Sequence, residues 1–250
     1  MEPFLSQVAR VYVENESQNL IDYCFVFPNK RSGVFFADYL SKMLSSNTVM
    51  PHIITISDFI SEFSSGTDAS RLELMFILYD EYRNLLRERS LGEQIVDFDK
   101  FQFWAEMVLN DFNDVDKYLI DAKQLFININ RLKEINSNFL SEEQIEVINR
   151  YWGEKRVNDS VDSFWKHITH ESTTDDLKTH FVKLWQILYD LYMSFKKRLS
   201  SMGLCYSGMS YREVAENNRF NNPDELNAKH YIFVGFNVLS TSEIKILERL

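Results

Sequence analysis

Short runs of β-branched and aromatic residues alternate with helical patterns at the start of the chain. Residues 23–27 and 52–56 form two such runs, each bounded by turn residues, and runs of this kind are typical of buried strands. A helical pattern follows each strand, at 31–44 and after Ser57 or Asp58, either of which can cap the helix. This order predicts a parallel sheet, because a helical crossover joins parallel neighbours.

The end of the chain repeats this order. Residues 231–234 predict a further buried strand, and a short turn follows it. Ser240 and Glu243 have the spacing of a capping box, in which each side chain bonds to the backbone N–H of the other residue. A helix is therefore predicted from Ser240 onward, with three residues on its apolar face. These are Ile244, Leu247 and Leu250.

The long middle of the chain has the spacing of helices, since its apolar residues recur every three or four positions. The longest pattern, at 175–201, is heptad-like, and we interpret it as a core helix of a bundle, with an oligomeric coiled coil as the less favoured alternative. With two shorter helices outside the middle, helices are predicted at 3–14, 70–91, 98–112, 116–136, 141–152, 175–201 and 211–217. We divide the chain into an α/β core, 1–66 and 203–250, and an all-helical insertion, 67–202.

Composition narrows the classes of function. The chain has 250 residues, 45% of them hydrophobic, which is enough for a sizeable core, and its net charge of −10 is opposite to that of a basic nucleic-acid-binding domain. Its dense basic runs are Lys30-Arg31 and 196–198, so that any contact with DNA must be local. Two distant cysteines, no signal sequence and no long apolar run lead us to expect a cytoplasmic protein without a membrane partner.

The order of four segments resembles that of superfamily 1 DNA helicases of the UvrD/Rep type. Residues 25–36 (FVFPNKRSGVFF) resemble the family's strand followed by T-N-K-A-A, and residues 53–59 (IITISDF) resemble its T-F-H-S-L segment. Residues 203–211 (GLCYSGMSY) resemble its G-L-x-D-F-D-D-L element, and residues 231–239 (YIFVGFNVL) stand where the family has I-L-V-D-E-F-Q-D. The resemblance implies an α/β fold, helix-rich overall, in which a parallel P-loop-NTPase-like (1A-like) sheet carries a large all-helical (1B-like) insertion.

The chain departs from the helicases at their ATP site. No G-x-G-K-T phosphate loop is present, and the Walker B position reads Gly235, Phe236, Asn237, without the carboxylates that hold Mg²⁺. The resemblance therefore implies a catalytically silent domain with no cofactor and no metal.

Degenerate helicase domains of this kind resemble the N-terminal part of AddB- or RecC-type subunits of DNA-break repair nucleases. The last helix has no stop signal, and we expect a longer protein whose PD-(D/E)XK nuclease domain follows this chain. The resemblance implies a role in guiding DNA and docking partner domains, with an AddA-like helicase subunit and the protein's own nuclease domain as partners. The alternative is a helical protein–protein interaction scaffold with no role on DNA.

The candidate DNA contacts follow from the same resemblance, because the matching helicase segment contacts single-stranded DNA from the end of a strand. Lys30 and Arg31 would meet phosphate, Phe27 could stack on a base, and Asn29 lies between them. Two further candidates lie in the segment like T-F-H-S-L. These are Thr55 and Ser57. The alternative is that Pro28-Asn29 is only a turn and the basic pair is solvated.

Two other patterns have simpler explanations. Pro223-Asp224 with Glu243 and Lys245 spells PD…ExK, but a nuclease needs its carboxylates on adjacent strands, and the capping box accounts for Glu243. His167, His170 and His180 could in principle hold zinc, but isolated surface histidines are more common, and we expect no metal there.

Overall fold

The computed structural model describes residues 2–16, 19–44, 48–89, 95–126, 174–217 and 226–250. Two compact units make up the chain. The first comprises Met1–Leu74, Val108–Leu119 and Leu199–Leu250, and the second comprises Met75–Met107 and Ile120–Arg198. The first unit thus includes Val108–Leu119, a segment that the sequence analysis assigned to the helical insertion.

The described elements alternate between helix and strand at both ends of the chain. They are α1 (Phe4–Glu16), a short 3-10 turn (Leu20–Asp22), β1 (Tyr23–Phe27), α2 (Lys30–Met43), β2 (His52–Thr55), α3 (Ile56–Phe63), β3 (Thr67–Asp68), α4 (Arg71–Glu88) and α5 (Phe98–Lys117). After residue 173 they are α6 (Thr174–Ser201), β4 (Leu204–Cys205), α7 (Ser207–Glu216), β5 (His230–Phe233) and α8 (Thr241–Leu247). None of the described helices is long and apolar enough to cross a membrane.

The three predicted strands lie parallel in one sheet, in the order β2-β1-β5. Phe25 in the central strand is paired in register with Ile53 on one side and with Ile232 on the other. The prediction of a parallel sheet is therefore confirmed, although β1 ends at Phe27 and β5 begins only at His230.

Helices cover both faces of the sheet. On one face Phe25 and Phe27 pack with residues of α1 and α2, and on the other face Cys24 and Val26 pack with residues of α3, α7 and α8. All four of these side chains in β1 are at most 1% exposed. A strand buried on both faces has no polar positions to alternate with, which explains the uninterrupted apolar run that marked it in the sequence.

A second, two-stranded parallel sheet, β3 with β4, was not predicted. Each strand has two residues, which is too short to show a periodic pattern. Cys205 lies in β4, and α7 begins at Ser207 instead of at the predicted Tyr211. Gly66 fits here because a Cβ at this position would lie 3.0 Å from that of Cys205.

A polar junction joins α5 to the segment that begins α7. The buried Asp116 carboxylate accepts a hydrogen bond from the Tyr206 hydroxyl and forms an ion pair with Arg212, at 2.6 Å between Oδ1 and Nε. The Asn113 side chain accepts a hydrogen bond from the Gly208 amide at 2.8 Å, and a Cβ on Gly208 would lie within 2.9 Å of the Asn113 Cα. The predicted helix break between 112 and 116 is wrong, since α5 continues through this junction to Lys117.

Helices supply all the described secondary structure of the second unit. The patterns at 70–91, 98–112 and 175–201 are confirmed as helices, whereas 141–152 and the last ten residues of the pattern at 116–136 lie outside the described residues. Aromatic rings pack in a chain along α4 and α5, as in the pair Tyr82 and Phe101, with centroids 4.8 Å apart. The described part of the heptad-like seam of α6 is buried. These residues are Leu188, Leu191 and Phe195.

The predicted packing face of α8 is wrong. Ile244 is 44% exposed and Leu250 45%, whereas Ile246 is fully buried in the cluster that contains the side chains of α3 and α7. Ser242 and Glu243 lie on the same buried side. A helix of only two turns takes its orientation from its cap and neighbours, and the apolar spacing of three carries less weight there.

Candidate functional site

The strands β1, β2 and β5 end at one edge of the sheet, and the connections after β1 and after β5 run to opposite faces of the sheet there. The chain after β1 enters α2 on one face of the sheet, and the chain after β5 enters α8 on the other face. In open α/β sheets, ligands bind in the crevice that such diverging connections create beyond the carboxyl ends of the strands. This edge is therefore the candidate site, and four of the predicted site residues flank it on the β1 side. They are Phe27, Asn29, Lys30 and Arg31.

Asn29 positions the start of α2. Its Oδ1 atom accepts a hydrogen bond from the Ser32 amide at 3.0 Å, which makes it the N-cap. Gly33 lets the first turn of α2 approach the sheet closely, because a Cβ there would lie 3.2 Å from the Ile53 Cγ2 atom. The first turn is thereby held beside the strand ends.

Lys30 and Arg31 occupy the first turn of α2, and both are exposed. Neither forms an ion pair with any residue that the structure describes, whereas Lys42 at the other end of the same helix is paired with Asp38 at 2.6 Å. No acidic residue lies in this first turn. The partial positive charge of a helix N-terminus disfavours cations, so that both side chains stand where the helix itself repels them.

Thr55 and Asp58 form a capping box at the start of α3, and so the predicted cap, Ser57 or Asp58, is corrected to Thr55. The Asp58 carboxylate accepts hydrogen bonds from the Thr55 hydroxyl at 2.7 Å and from the Thr55 amide at 3.0 Å. These bonds, with a smaller contribution from the charge of Lys30, hold the pKa of Asp58 below its usual value. Thr55 is 8% exposed and its hydroxyl is engaged, whereas Ser57 is exposed.

The tip of β5 carries no carboxylate. Gly235 has a φ of +78°, which a glycine adopts without strain, and Phe236 packs on Phe233 with centroids 6.0 Å apart. Asn237 is exposed, and so is Val238, at 89%. Gly235, Phe236 and Asn237 are the residues predicted at the degenerate Walker B position, and Val238 follows them.

Glu243 belongs to the cap of α8, as predicted. Its carboxylate accepts hydrogen bonds from the Ser240 amide at 2.6 Å and from the Ser240 hydroxyl at 2.8 Å, and the side chain is only 7% exposed. Pro223 and Asp224, the other half of the nuclease-like pattern, lie outside the described residues. The described half of that pattern is therefore explained by helix capping.

Phe27 does not have the exposure that base stacking requires. Its side chain is fully buried and packs on Phe36 with centroids 5.2 Å apart. The reason is the helix α2 that covers this face of the central strand. Phe35 in α2 is an exposed aromatic residue, which the sequence analysis did not single out.

Cysteine and metal chemistry receive no support from the described part of the chain. Burial raises the pKa of the Cys24 thiol to about 12 and also raises the pKa of Cys205, so both stay protonated at neutral pH. Among the described residues no three His, Cys, Asp or Glu side chains are grouped so as to hold a metal. His167 and His170 lie outside this part, as does the side chain of His180.

Comparisons of the chain with models of known protein families, with curated proteins and with solved structures find no match.

Proposed function

We propose that this chain is a non-catalytic, helicase-like region that guides single-stranded DNA past the carboxyl edge of its sheet. The resemblance to AddB- and RecC-type subunits supports this proposal. So does one structural observation, which carries it: Lys30 and Arg31 are exposed and without an ion pair among the described residues, in the first turn of a helix that disfavours cations. A sequence that breaks a local rule without a structural gain usually does so at a functional site.

A phosphate group would reverse this electrostatic cost. Each cation near a helix N-terminus lowers the free energy of unfolding by about 0.3–1 kcal/mol relative to a neutral side chain, whereas an anion there raises it by a similar amount. A phosphodiester that contacts Lys30 and Arg31 would be attracted both by their charges and by the α2 terminus.

The proposal of a non-catalytic role rests on Gly235 and Phe236, which offer no side-chain oxygen where the helicases bind Mg²⁺.

Binding should be weak and strongly dependent on salt. The chain carries a net charge of −10, which repels DNA at long range, and only a local basic group attracts it. We propose that tighter binding belongs to a longer, cytoplasmic protein, in which an AddA-like helicase subunit and a C-terminal nuclease domain add their own contacts.

The experiment that tests this proposal measures fluorescence anisotropy of a labelled oligothymidine at low salt. Lys30→Ala combined with Arg31→Ala should abolish the binding. The matched control is Lys197→Ala with Arg198→Ala, which removes the same two charges from the other basic run, in α6. Equal losses in the two double variants would show a general charge effect and would contradict the site.

A helical interaction scaffold is the alternative function. Large apolar side chains are half exposed on the second unit, as at Phe76, with 50%, and Met193, with 49%. Exposed apolar surface of this kind is typical of protein–protein contacts when it is contiguous. Complete absence of oligonucleotide binding at low salt would favour this alternative over the DNA role.

A further inference from the structure

Helix α2 carries an exposed apolar pair next to its basic first turn. Val34 is 68% exposed and Phe35 is 51% exposed. The side of α2 that packs on the sheet is instead formed by Gly33, Phe36 and Leu40. Half of a phenylalanine ring in water is an unfavourable exposure that the packing of α2 does not explain.

The apolar pair and the cations lie on neighbouring parts of one helical surface. Arg31 and Phe35 are four positions apart, as are Lys30 and Val34, and residues at this spacing are adjacent on a helix. The next acidic residue along α2, Asp38, is paired with Lys42. The surface near Phe35 on α2 therefore combines an accessible aromatic ring with two cations that form no close ion pair among the described residues, although the charge of Lys30 acts on Asp58 from a distance.

We propose that Phe35 is the stacking platform for an unpaired nucleobase, one helical turn from the cations that hold the phosphates. This inference rests on the proposed function and deepens it, since it assigns the base contact to Phe35 in place of the buried Phe27. Single-strand binding proteins combine the same two components, a basic track for the backbone and aromatic rings for the bases. Such a site takes single-stranded nucleic acid with little sequence preference, because every base has a π face.

Charge favours nucleic acid over an apolar protein segment as the occupant. Two cations beside a helix N-terminus add nothing to the binding of a purely apolar protein segment. A phosphodiester, in contrast, is attracted both by the cations and by the helix N-terminus. Val34, beside Lys30, adds apolar contact for the sugar or for the edge of the same base.

The test compares two labelled strands of equal length, an oligothymidine and a fully abasic strand, which share the phosphates but differ in the bases. The wild-type chain should bind the oligothymidine about tenfold more tightly than the abasic strand. Phe35→Ala should weaken binding of the oligothymidine by about tenfold and leave binding of the abasic strand unchanged. Phe35→Trp should restore the preference, since its ring also stacks.

Phe76→Ala is the matched control, because Phe76 has nearly the same exposed fraction, 50%, and lies in the second unit. It should leave both affinities unchanged, and thermal melting checks that each variant is folded. Equal weakening of both strands by Phe35→Ala, or no weakening of either, would overturn the stacking role while the loss on Lys30→Ala with Arg31→Ala upholds the proposed function. If the wild-type chain binds neither strand, the proposed function itself fails. A protein partner as the true occupant of this face would give that last result.

Discussion

The connections after β1 and after β5 leave the same edge of one sheet and both lead into a helix, yet the two helices begin in opposite ways. Helix α8 begins with the Ser240–Glu243 capping box, whose carboxylate is buried and satisfied. Helix α2 begins with Asn29 and then two exposed cations. The start of α8 satisfies every local rule of helix formation, and α2 violates the electrostatic one. The difference separates residues that serve the fold from residues that we propose to serve a ligand.

The polar junction between α5 and α7 should show the largest effect on stability. Asp116→Ala removes the fully buried carboxylate that pairs with Arg212 and accepts the hydrogen bond of the Tyr206 hydroxyl, and Arg212 keeps only its more exposed acidic partner, Glu216, at 3.1 Å. Breaking a buried ion pair in this way costs about 3–5 kcal/mol of the free energy of unfolding. Urea unfolding, followed by circular dichroism, measures this loss.

The matched control for this variant is Asp22→Ala, which breaks the solvent-exposed pair with Lys229 and should cost at most about 1 kcal/mol. A loss at Asp116 no larger than the loss at Asp22 would contradict the structural role of the junction.

A smaller effect is expected at the start of α8. Glu243→Ala leaves the buried Ser240 amide without its acceptor and should cost about 1–2 kcal/mol. Glu248→Ala, an exposed change at the end of the same helix, is the control and should be nearly neutral.

No Mg²⁺-dependent cleavage of DNA is expected from either variant or from the wild-type chain. Cleavage that is lost on Glu243→Ala would revive the nuclease interpretation.

The start of α3 should add a dependence on pH. The pKa of Asp58 lies below its ordinary value of 3.8 in the folded chain, so its stabilising effect is present above that pH and is lost as the pH falls through the folded pKa. Asp58→Ala should therefore cost about 1 kcal/mol at neutral pH, and this difference from wild type should shrink at about pH 3. Asp38→Ala, on the exposed side of α2, serves as the control. A difference that grows in acid would have the wrong sign for this account.

The sheet could be predicted from the sequence because helices cover both of its faces, and its central strand β1 is buried on both. The runs at 23–27, 52–56 and 231–234 are mainly apolar, with His52 and Thr55 as the polar members of the second run, and strands of a parallel sheet covered by helices have such a composition. The burial of β1 on both faces also excludes Phe27 from the site. This exclusion already follows from the predicted sheet, in which β1 is a buried strand.

Two other features depended on tertiary packing. Phe35 and Phe36 are adjacent phenylalanines, and the sequence alone does not decide which ring is buried; the close approach of Gly33 to the sheet orients α2 so that Phe36 packs inward. The strands β3 and β4 consist of two residues each and pair only because distant segments meet. Local patterns carry no signal for contacts of this kind.

One double variant tests both the smallest expected effect on stability and the claim that Lys30 and Arg31 serve a ligand. Lys30→Glu with Arg31→Glu places two acidic side chains where the α2 terminus favours them. Each change should raise the free energy of unfolding by about 0.3–1 kcal/mol, less the attraction that Lys30→Glu removes between Lys30 and Asp58. The same variant should lose all binding of the labelled oligothymidine. Measured together, greater stability and lost binding are the result that our account predicts. A double variant that is less stable than wild type, or that still binds the oligothymidine with unchanged affinity, would contradict the claim that the two cations are present for a ligand.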